Sequence, residues 1–378
     1  MSEPSSETPP PAAPLPATAP GAVPTPGRVG AGAGAAARWR AQADGERSPL
    51  RLRHFLGLLA GLTGLNALAG LARGTLTPSV NGLLLAPVVV AAAVWLLVVC
   101  ALNVRAGRWV QGALPLVLVA LLVGTLASGS FARRMIFPGN EQRLPPTGPV
   151  DAVATVVEYA TDDGVALRGL FVRAEAPAPR PALVYFHGNA ESAASNEGFA
   201  RALAARGVDV LLAEYRGYAG CPGSPSEDGL LRDARAAVRE VSARTGVLPR
   251  DLVLFGRSLG TGVAAALAAE GTGRAVVLLS PYTAILDIAA DMVPRPLALL
   301  AVRDPFDSRA RLLAATQPVV IFHGPLDRVI PFRHGEALAS ALGPRARFLR
   351  LDGCDHNDVF ALAGERILAE TLAAARAR

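Results

Sequence analysis

Three long apolar runs, followed by a change of period, organise this chain. The runs cover about residues 55–71, 83–102 and 110–127, and none holds a charge in its interior. Each approaches the roughly 20 residues needed to cross a hydrocarbon core, so three transmembrane helices are expected. The first, with several Gly and Asn66, is the weakest of them. From Thr155 onward the pattern becomes short apolar runs separated by Ala/Arg-rich helical stretches. T-V-V-E-Y-A and V-A-L-R-G-L-F-V read as two strands joined by the turn Asp162-Asp163-Gly164. A-L-V-Y-F-H, V-D-V-L-L-A-E, D-L-V-L-F, A-V-V-L-L-S, P-V-V-I-F-H and A-R-F-L-R-L continue the series. Strands alternating with helices predict an α/β class, a mainly parallel sheet with helices on both faces.

Before the first run, residues 1 to about 50 are dominated by Pro, Ala, Gly and Ser. Such a segment buries too little apolar surface to offset its ordering entropy, so a disordered tail is expected there. The organisation is then a tail at 1–50, a membrane region at 51–131 and a folded domain at 132–378. No internal repeat is visible.

Composition changes this picture in three ways. Hydrophobic residues make up 51% of the chain, and the excess is concentrated in the three runs. The formal net charge is +6, and every basic residue is Arg. The absence of lysine, with the Ala, Gly and Pro load, suggests a GC-rich bacterial genome. The Arg residues are scattered without an aromatic-basic patch, which weighs against nucleic-acid binding. Their distribution bears on topology instead. Arg47, Arg51, Arg53, Arg105 and Arg108 lie on one side of the three runs, against Arg73, Arg133 and Arg134 on the other. The N-terminus is expected inside, which implies a bacterial inner-membrane protein whose folded domain lies outside the cytoplasm. Cys100, Cys221 and Cys354 show no metal-ligand spacing, so no metal and no cofactor is expected. A Cys221–Cys354 disulfide is compatible with an extracytoplasmic domain.

The sharpest chemical signal is Gly256-Arg257-Ser258-Leu259-Gly260. It follows the run Leu252 to Phe255 and opens the helical stretch Thr261 to Ala269. A serine at such a strand-to-helix turn is held with its Oγ clear at the tip of a sheet. Serine alone is a poor nucleophile near neutral pH and needs a base. His356 lies in a loop after the run Arg347 to Leu351, which puts it at the carboxyl edge of the sheet. The acid should follow the preceding strand, Pro318 to His323, and Asp327 stands there. Ser258, Asp327 and His356 thus occur in the order nucleophile, acid, base. Asp304 and Asp307 precede the strand, and Asp355 and Asp358 adjoin His356; all four are weaker candidates.

Two donors are needed for a developing oxyanion. The backbone N–H of Leu259 is one; Asn189, in His187-Gly188-Asn189-Ala190, is the other, with Ala190 the alternative. His187 and His323 read as structural, and His334 as an ordinary residue on a helix face. Hydride transfer is disfavoured because no G-x-G-x-x-G follows a first strand. The short stretch between Ser280 and Pro318 leaves no room for a large lid, so the site should be open. Its specificity should be set by loops such as Gly217 to Pro225.

The stretches H-G-N-A-E, E-Y-R-G-Y-A-G, P-S-E-D-G-L, G-R-S-L-G-T-G, F-D-S, H-G-P-L-D-R-V-I-P and D-H-N-D resemble the membrane-anchored α/β-hydrolase-domain serine hydrolases, a branch that includes depalmitoylating enzymes. The similarity covers about residues 135–375. Relatives usually read G-Y-G-x-S where this chain has Gly217-Tyr218-Ala219-Gly220-Cys221. The resemblance implies an α/β-hydrolase fold and cleavage of an ester, thioester or amide through an acyl-enzyme. An open site beside a membrane anchor suits an acylated, ester or lipid substrate. A peptidase of the same fold and a non-catalytic membrane scaffold are the competing readings.

Overall fold

The computed structural model describes residues 129–377 and, ahead of them, the single positions Val98, Ala101, Arg105 and Gly124, all helical. The tail and, apart from those positions, the three expected spans lie outside the described residues. Among the described residues no helix is long and apolar enough to cross a membrane.

The apolar runs become one nine-stranded sheet: β1 Gly148–Pro149, β2 Ala154–Ala160, β3 Ala166–Val172, β4 Ala182–Phe186, β5 Asp209–Ala213, β6 Val253–Arg257, β7 Ala275–Leu279, β8 Val319–His323 and β9 Ala346–Arg350. Their spatial order is β1-β2-β3-β5-β4-β6-β7-β8-β9. β2 and β3 form the expected antiparallel hairpin, in register from Ala154↔Val172 to Ala160↔Ala166. β4 to β9 are parallel. Every residue of β4, β5, β6 and β7 is buried, as befits strands covered on both faces. From β4 the chain goes first to β5 on one side and then to β6 on the other. This reversal opens a crevice at the carboxyl ends of β4 and β6, where ligands of open α/β sheets bind.

Nine described helices are α1 Ser130–Ile136, α2 Glu197–Ala204, α3 Glu227–Thr245, α4 Leu259–Ala269, α5 Ile285–Met292, α6 Arg295–Ala301, α7 Ser308–Ala314, α8 Arg333–Leu342 and α9 Val359–Arg376. The pleat of β4 divides its side chains between two cores. Val184 and Phe186 face a cluster with Leu230 and Val241 of α3, Val263 of α4 and Leu338 of α8. Leu183 and Tyr185 face the other, with Leu203 of α2 and Ile367 and Leu372 of α9. Local signals fix the helix ends. Ser226 caps α3 by accepting the Gly229 N–H at 3.1 Å, Glu227 and Asp228 occupy its positive first turn, and Gly246 ends it at φ 73°.

Two sequence expectations need correction. Cys221 and Cys354 are both free and buried, packed into opposite cores, so they form no disulfide. His334 is no ordinary helix-face residue: it is buried, its Nδ1 2.9 Å from Thr283 Oγ1 and its Nε2 3.0 Å from Asp291 Oδ2. Its place at the first turn of α8, against α5, turns the ring inward. The stretch between Ser280 and Pro318 holds only the short helices α5, α6 and α7. Arg133, counted by its charge among residues flanking the apolar runs, donates from Nε to Asp304 Oδ2 at 2.6 Å, holding α1 to the loop before α7.

Candidate active site

The turn between β6 and α4 is built on close backbone contact. Ser258 lies at φ 50° and ψ −117°, a conformation that non-glycine residues adopt only under constraint. Two glycines make the turn possible. A Cβ on Gly256 would lie 2.4 Å from Gly260 O, and one on Gly260 would lie 2.0 Å from Phe186 O at the end of β4. The nucleophile turn is therefore seated directly on the strand that leads into the His187–Ala190 loop. Gly260→Ala should lower stability by at least the roughly 1–3 kcal/mol usual for overpacking, since backbone cannot easily yield. A shift of the urea midpoint checks this; an unchanged midpoint would show that the contact relaxes freely.

Ser258, His356 and Asp327, which sequence order nominated, come together although they lie on three different loops. His356 Nε2 is 3.1 Å from Ser258 Oγ, and His356 Nδ1 is 2.8 Å from Asp327 Oδ2. A carboxylate only accepts, so Nδ1 carries the proton and Nε2 is left to accept from the serine hydroxyl. Asp327 Oδ1 accepts the N–H groups of Val329 at 2.9 Å and Ile330 at 2.7 Å. Its Oδ2 also lies 3.3 Å from Nε2 of the fully buried His323. That nitrogen is 3.0 Å from Ile330 O and so carries a hydrogen. Burial opposes the charge on Asp327, but hydrogen bonds from His323 and His356 outweigh it. The carboxyl is held well below the usual carboxylate range.

The other candidate acids are engaged elsewhere. Asp304 binds Arg133 and accepts the Glu227 N–H at 2.8 Å, and Asp307 caps α7 through the Ala310 N–H at 2.9 Å. Asp355 pairs with Arg328 and accepts the His356 N–H at 2.6 Å, while Asp358 accepts the Asp355 N–H at 2.7 Å. The last two shape the histidine loop through its backbone.

Leu259 is the first residue of α4, directly after the serine, at the positive end of an eleven-residue helix. Its carbonyl is held by Tyr282 Oη at 3.0 Å. The loop bearing Asn189 packs against the nucleophile, since a Cβ on Gly188 would lie 3.3 Å from Ser258 Cβ. The Gly188 N–H itself donates to Glu191 Oε2 at 3.0 Å, which leaves the amides of Asn189 and Ala190 as the loop's candidate donors. Asn140 Nδ2 holds the Ala190 carbonyl at 2.8 Å, and Asn140 O accepts the Ala219 N–H at 2.8 Å. The Gly217–Pro225 loop is thereby tied to the same edge.

His187 lies beneath the loop as part of its foundation. Its Nδ1 faces Gly188 O at 2.7 Å, and its ring packs 4.3 Å from Tyr215 and 5.4 Å from Tyr218. Burial lowers its proton affinity, but Glu214, 3.4 Å from Nε2, more than reverses this and raises it. The sequence reading passed over Glu191 and Arg257, which form an ion pair beside the serine. Their signal was a charged residue inside each of two otherwise apolar and small-residue motifs. Among the described residues no cluster could hold a metal ion.

Known proteins resemble this chain at the level of family and fold. The profile of the family described as serine aminopeptidase, S33, matches residues 177–306. An uncharacterised protein of Mycobacterium tuberculosis is 35% identical over 269 residues, 68% of this chain and 92% of that protein. The α/β-hydrolase domain-containing protein 17C of Xenopus laevis is 33% identical over 211 residues, covering 56% of this chain and 66% of its own. Among solved structures, Thermogutta terrifontis esterase 2, phosphonylated by sarin, matches with a TM-score of 0.50 at 25% identity, over 60% of this chain and 95% of that one. A Pyrococcus furiosus esterase matches with a TM-score of 0.50 at 18% identity, over 63% of this chain and 100% of that one.

Proposed function

We propose that this chain, which belongs to the α/β-hydrolase superfamily, is a serine hydrolase that cleaves a carboxylic ester or thioester through an acyl-enzyme. The observation that carries this reading is the hydrogen-bonded run from Ser258 Oγ through His356 to Asp327, set at the start of α4. Ser258 Oγ attacks the acyl carbon while its proton passes to His356 Nε2. Asp327 holds the ring in the accepting tautomer and stabilises the imidazolium that forms. The carbonyl oxygen, now anionic, is received by the N–H groups of Leu259 and Asn189, where each donor is worth roughly 10²–10³ in rate. The imidazolium then gives its proton to the leaving oxygen or sulfur, and the acyl group stays on Ser258. Water, deprotonated by His356, reverses the sequence and frees the acid.

The short helices α5 and α6 favour an open site that accepts substrates of varied length. The Gly217–Pro225 loop, tied through Asn140 to the oxyanion loop, is the proposed determinant of selectivity. A peptidase is the second reading, favoured by the S33 profile match. That match ends at residue 306, before Asp327 and His356, so it speaks to the serine half of the site alone.

The esterase from Thermogutta terrifontis is phosphonylated by sarin, which suggests the probe. The full chain should be labelled stoichiometrically by a fluorophosphonate and should hydrolyse p-nitrophenyl esters across a chain-length panel. Matched esters should be turned over at least about 10-fold faster, by kcat/KM, than the corresponding amides. Absence of labelling would overturn the serine-hydrolase reading, and faster amide cleavage would favour the peptidase.

A further inference from the structure

We propose that Glu191 and Arg257 act as an ionic latch that holds the oxyanion loop and the histidine loop in fixed positions on the nucleophile turn. The inference rests on the serine-hydrolase reading and assigns two positioning residues to it. Arg257 immediately precedes Ser258, and Glu191 immediately follows Ala190. One carboxylate oxygen of Glu191 pairs with Nη1 of Arg257. The other accepts the Gly188 N–H at 3.0 Å. Nη2 of Arg257 reaches the carbonyl of His356 at 3.2 Å. One guanidinium and one carboxylate thus join three loops that are 66 and 99 residues apart in the chain.

The residue types suit the task. Only arginine has a planar fork able to serve an acid and a carbonyl at once; a lysine ammonium is a point charge. Both side chains are largely enclosed, at 11% and 17% exposure, where charge-assisted hydrogen bonds are strengthened. Each end is braced. The Phe360 ring lies 5.2 Å from Arg257 Cζ, and Asn196 Nδ2 lies 3.4 Å from the Glu191 carboxylate. Asn196 is itself fixed by Tyr185 Oη at 2.8 Å in the core. The latch contributes no atom to the reaction. By pulling on Gly188 it orients the next amide, that of Asn189, and by holding His356 O it sets the height of the imidazole above Ser258. A displacement of about 1 Å in such a site costs up to roughly 10²-fold in rate.

The test compares Glu191→Gln, Arg257→Met, Arg257→Lys and the double variant Glu191→Gln/Arg257→Met in the full chain. The readouts are kcat and KM on a p-nitrophenyl ester, the second-order rate of fluorophosphonate labelling, and Tm. Glu191→Gln keeps an acceptor for the Gly188 N–H but loses the ion pair. It should lower kcat about 10- to 100-fold, with KM changed by less than about threefold and labelling slowed in proportion. Arg257→Lys should retain more kcat than Arg257→Met, and the double variant should be no worse than the poorer single, as for coupled residues. If Arg257→Met does not fold, Glu191→Gln and Arg257→Lys decide. The latch is overturned if Glu191→Gln keeps kcat within twofold of wild type, or if the double loss equals the product of the single losses. A wild-type chain that the probe does not label sinks the serine-hydrolase reading itself, a result read before any variant is made.

Discussion

Replacing Ser258 with alanine should abolish fluorophosphonate labelling and lower kcat by roughly 10⁴- to 10⁶-fold, the scale seen when one member of a catalytic group acting as a unit is removed. The size follows from chemistry and not from folding. The serine side chain has His356 Nε2 as its hydrogen-bond partner at 3.1 Å, and its hydroxyl fills little space at the tip of the sheet. The positive φ is imposed by the Gly256 and Gly260 contacts, which the substitution leaves intact. Tm should therefore stay within a few degrees of wild type. The residual rate over water would come from binding and the oxyanion donors. A Ser258→Ala chain that still labels fully would mean that another nucleophile does the work.

The second large effect is expected at Asp327. Asparagine there preserves shape but offers an N–H where a carboxylate oxygen now accepts from His356 Nδ1 at 2.8 Å. The imidazole would then favour the tautomer with its proton on Nε2, facing Ser258, and lose its role as a base. A fall of roughly 10⁴ in kcat is expected. His323 sharpens this outcome. It donates towards the same oxygen from 3.3 Å, so the carboxylate is gripped from two sides and an amide would meet two donors. Asp304→Asn and Asp307→Asn should be far milder, because their carboxylates serve Arg133, the Glu227 N–H and the cap of α7. Steady-state kinetics on one ester separates the cases. If Asp304→Asn or Asp307→Asn is the crippling change, the acid has been misassigned.

What the chain reveals unaided follows from how local its determinants are. The strand runs from β4 to β7 were legible because strands buried on both faces must be almost wholly apolar, as L-V-Y-F and L-V-L-F are. The nucleophile turn was legible because Gly256 and Gly260 stand where an added Cβ would come within 2.4 and 2.0 Å of backbone oxygens, so small residues mark the turn. Ser258, Asp327 and His356 could be nominated because each follows a recognisable strand. The inward turn of His334 was not legible, since it depends on Thr283 and Asp291 from distant segments. The same holds for the Cys pair: Cys221 and Cys354 lie in separate loops whose packing against different cores is set by tertiary contacts. Glu191 and Arg257 were hidden for the converse reason. Each sits inside a motif read for its neighbours, and their partnership spans 66 residues.

The two margins of the sheet bear on how the protein behaves when crowded. An uncovered strand offers a ladder of donors and acceptors to any passing chain, the first step of fibrous self-association. Here β1 is only two residues long and ends in Pro149, which has no N–H to lend. At the opposite margin, β9 carries two arginines among its five residues; Arg347 is paired with Glu370 and Arg350 with Asp352. The carbonyl of Arg350 is already taken by Arg366 of α9 at 2.9 Å. A foreign strand would find at one end too few rungs and at the other a charged rail with a rung already filled. Concentrated solutions of the folded domain should accordingly resist seeding into cross-β aggregates.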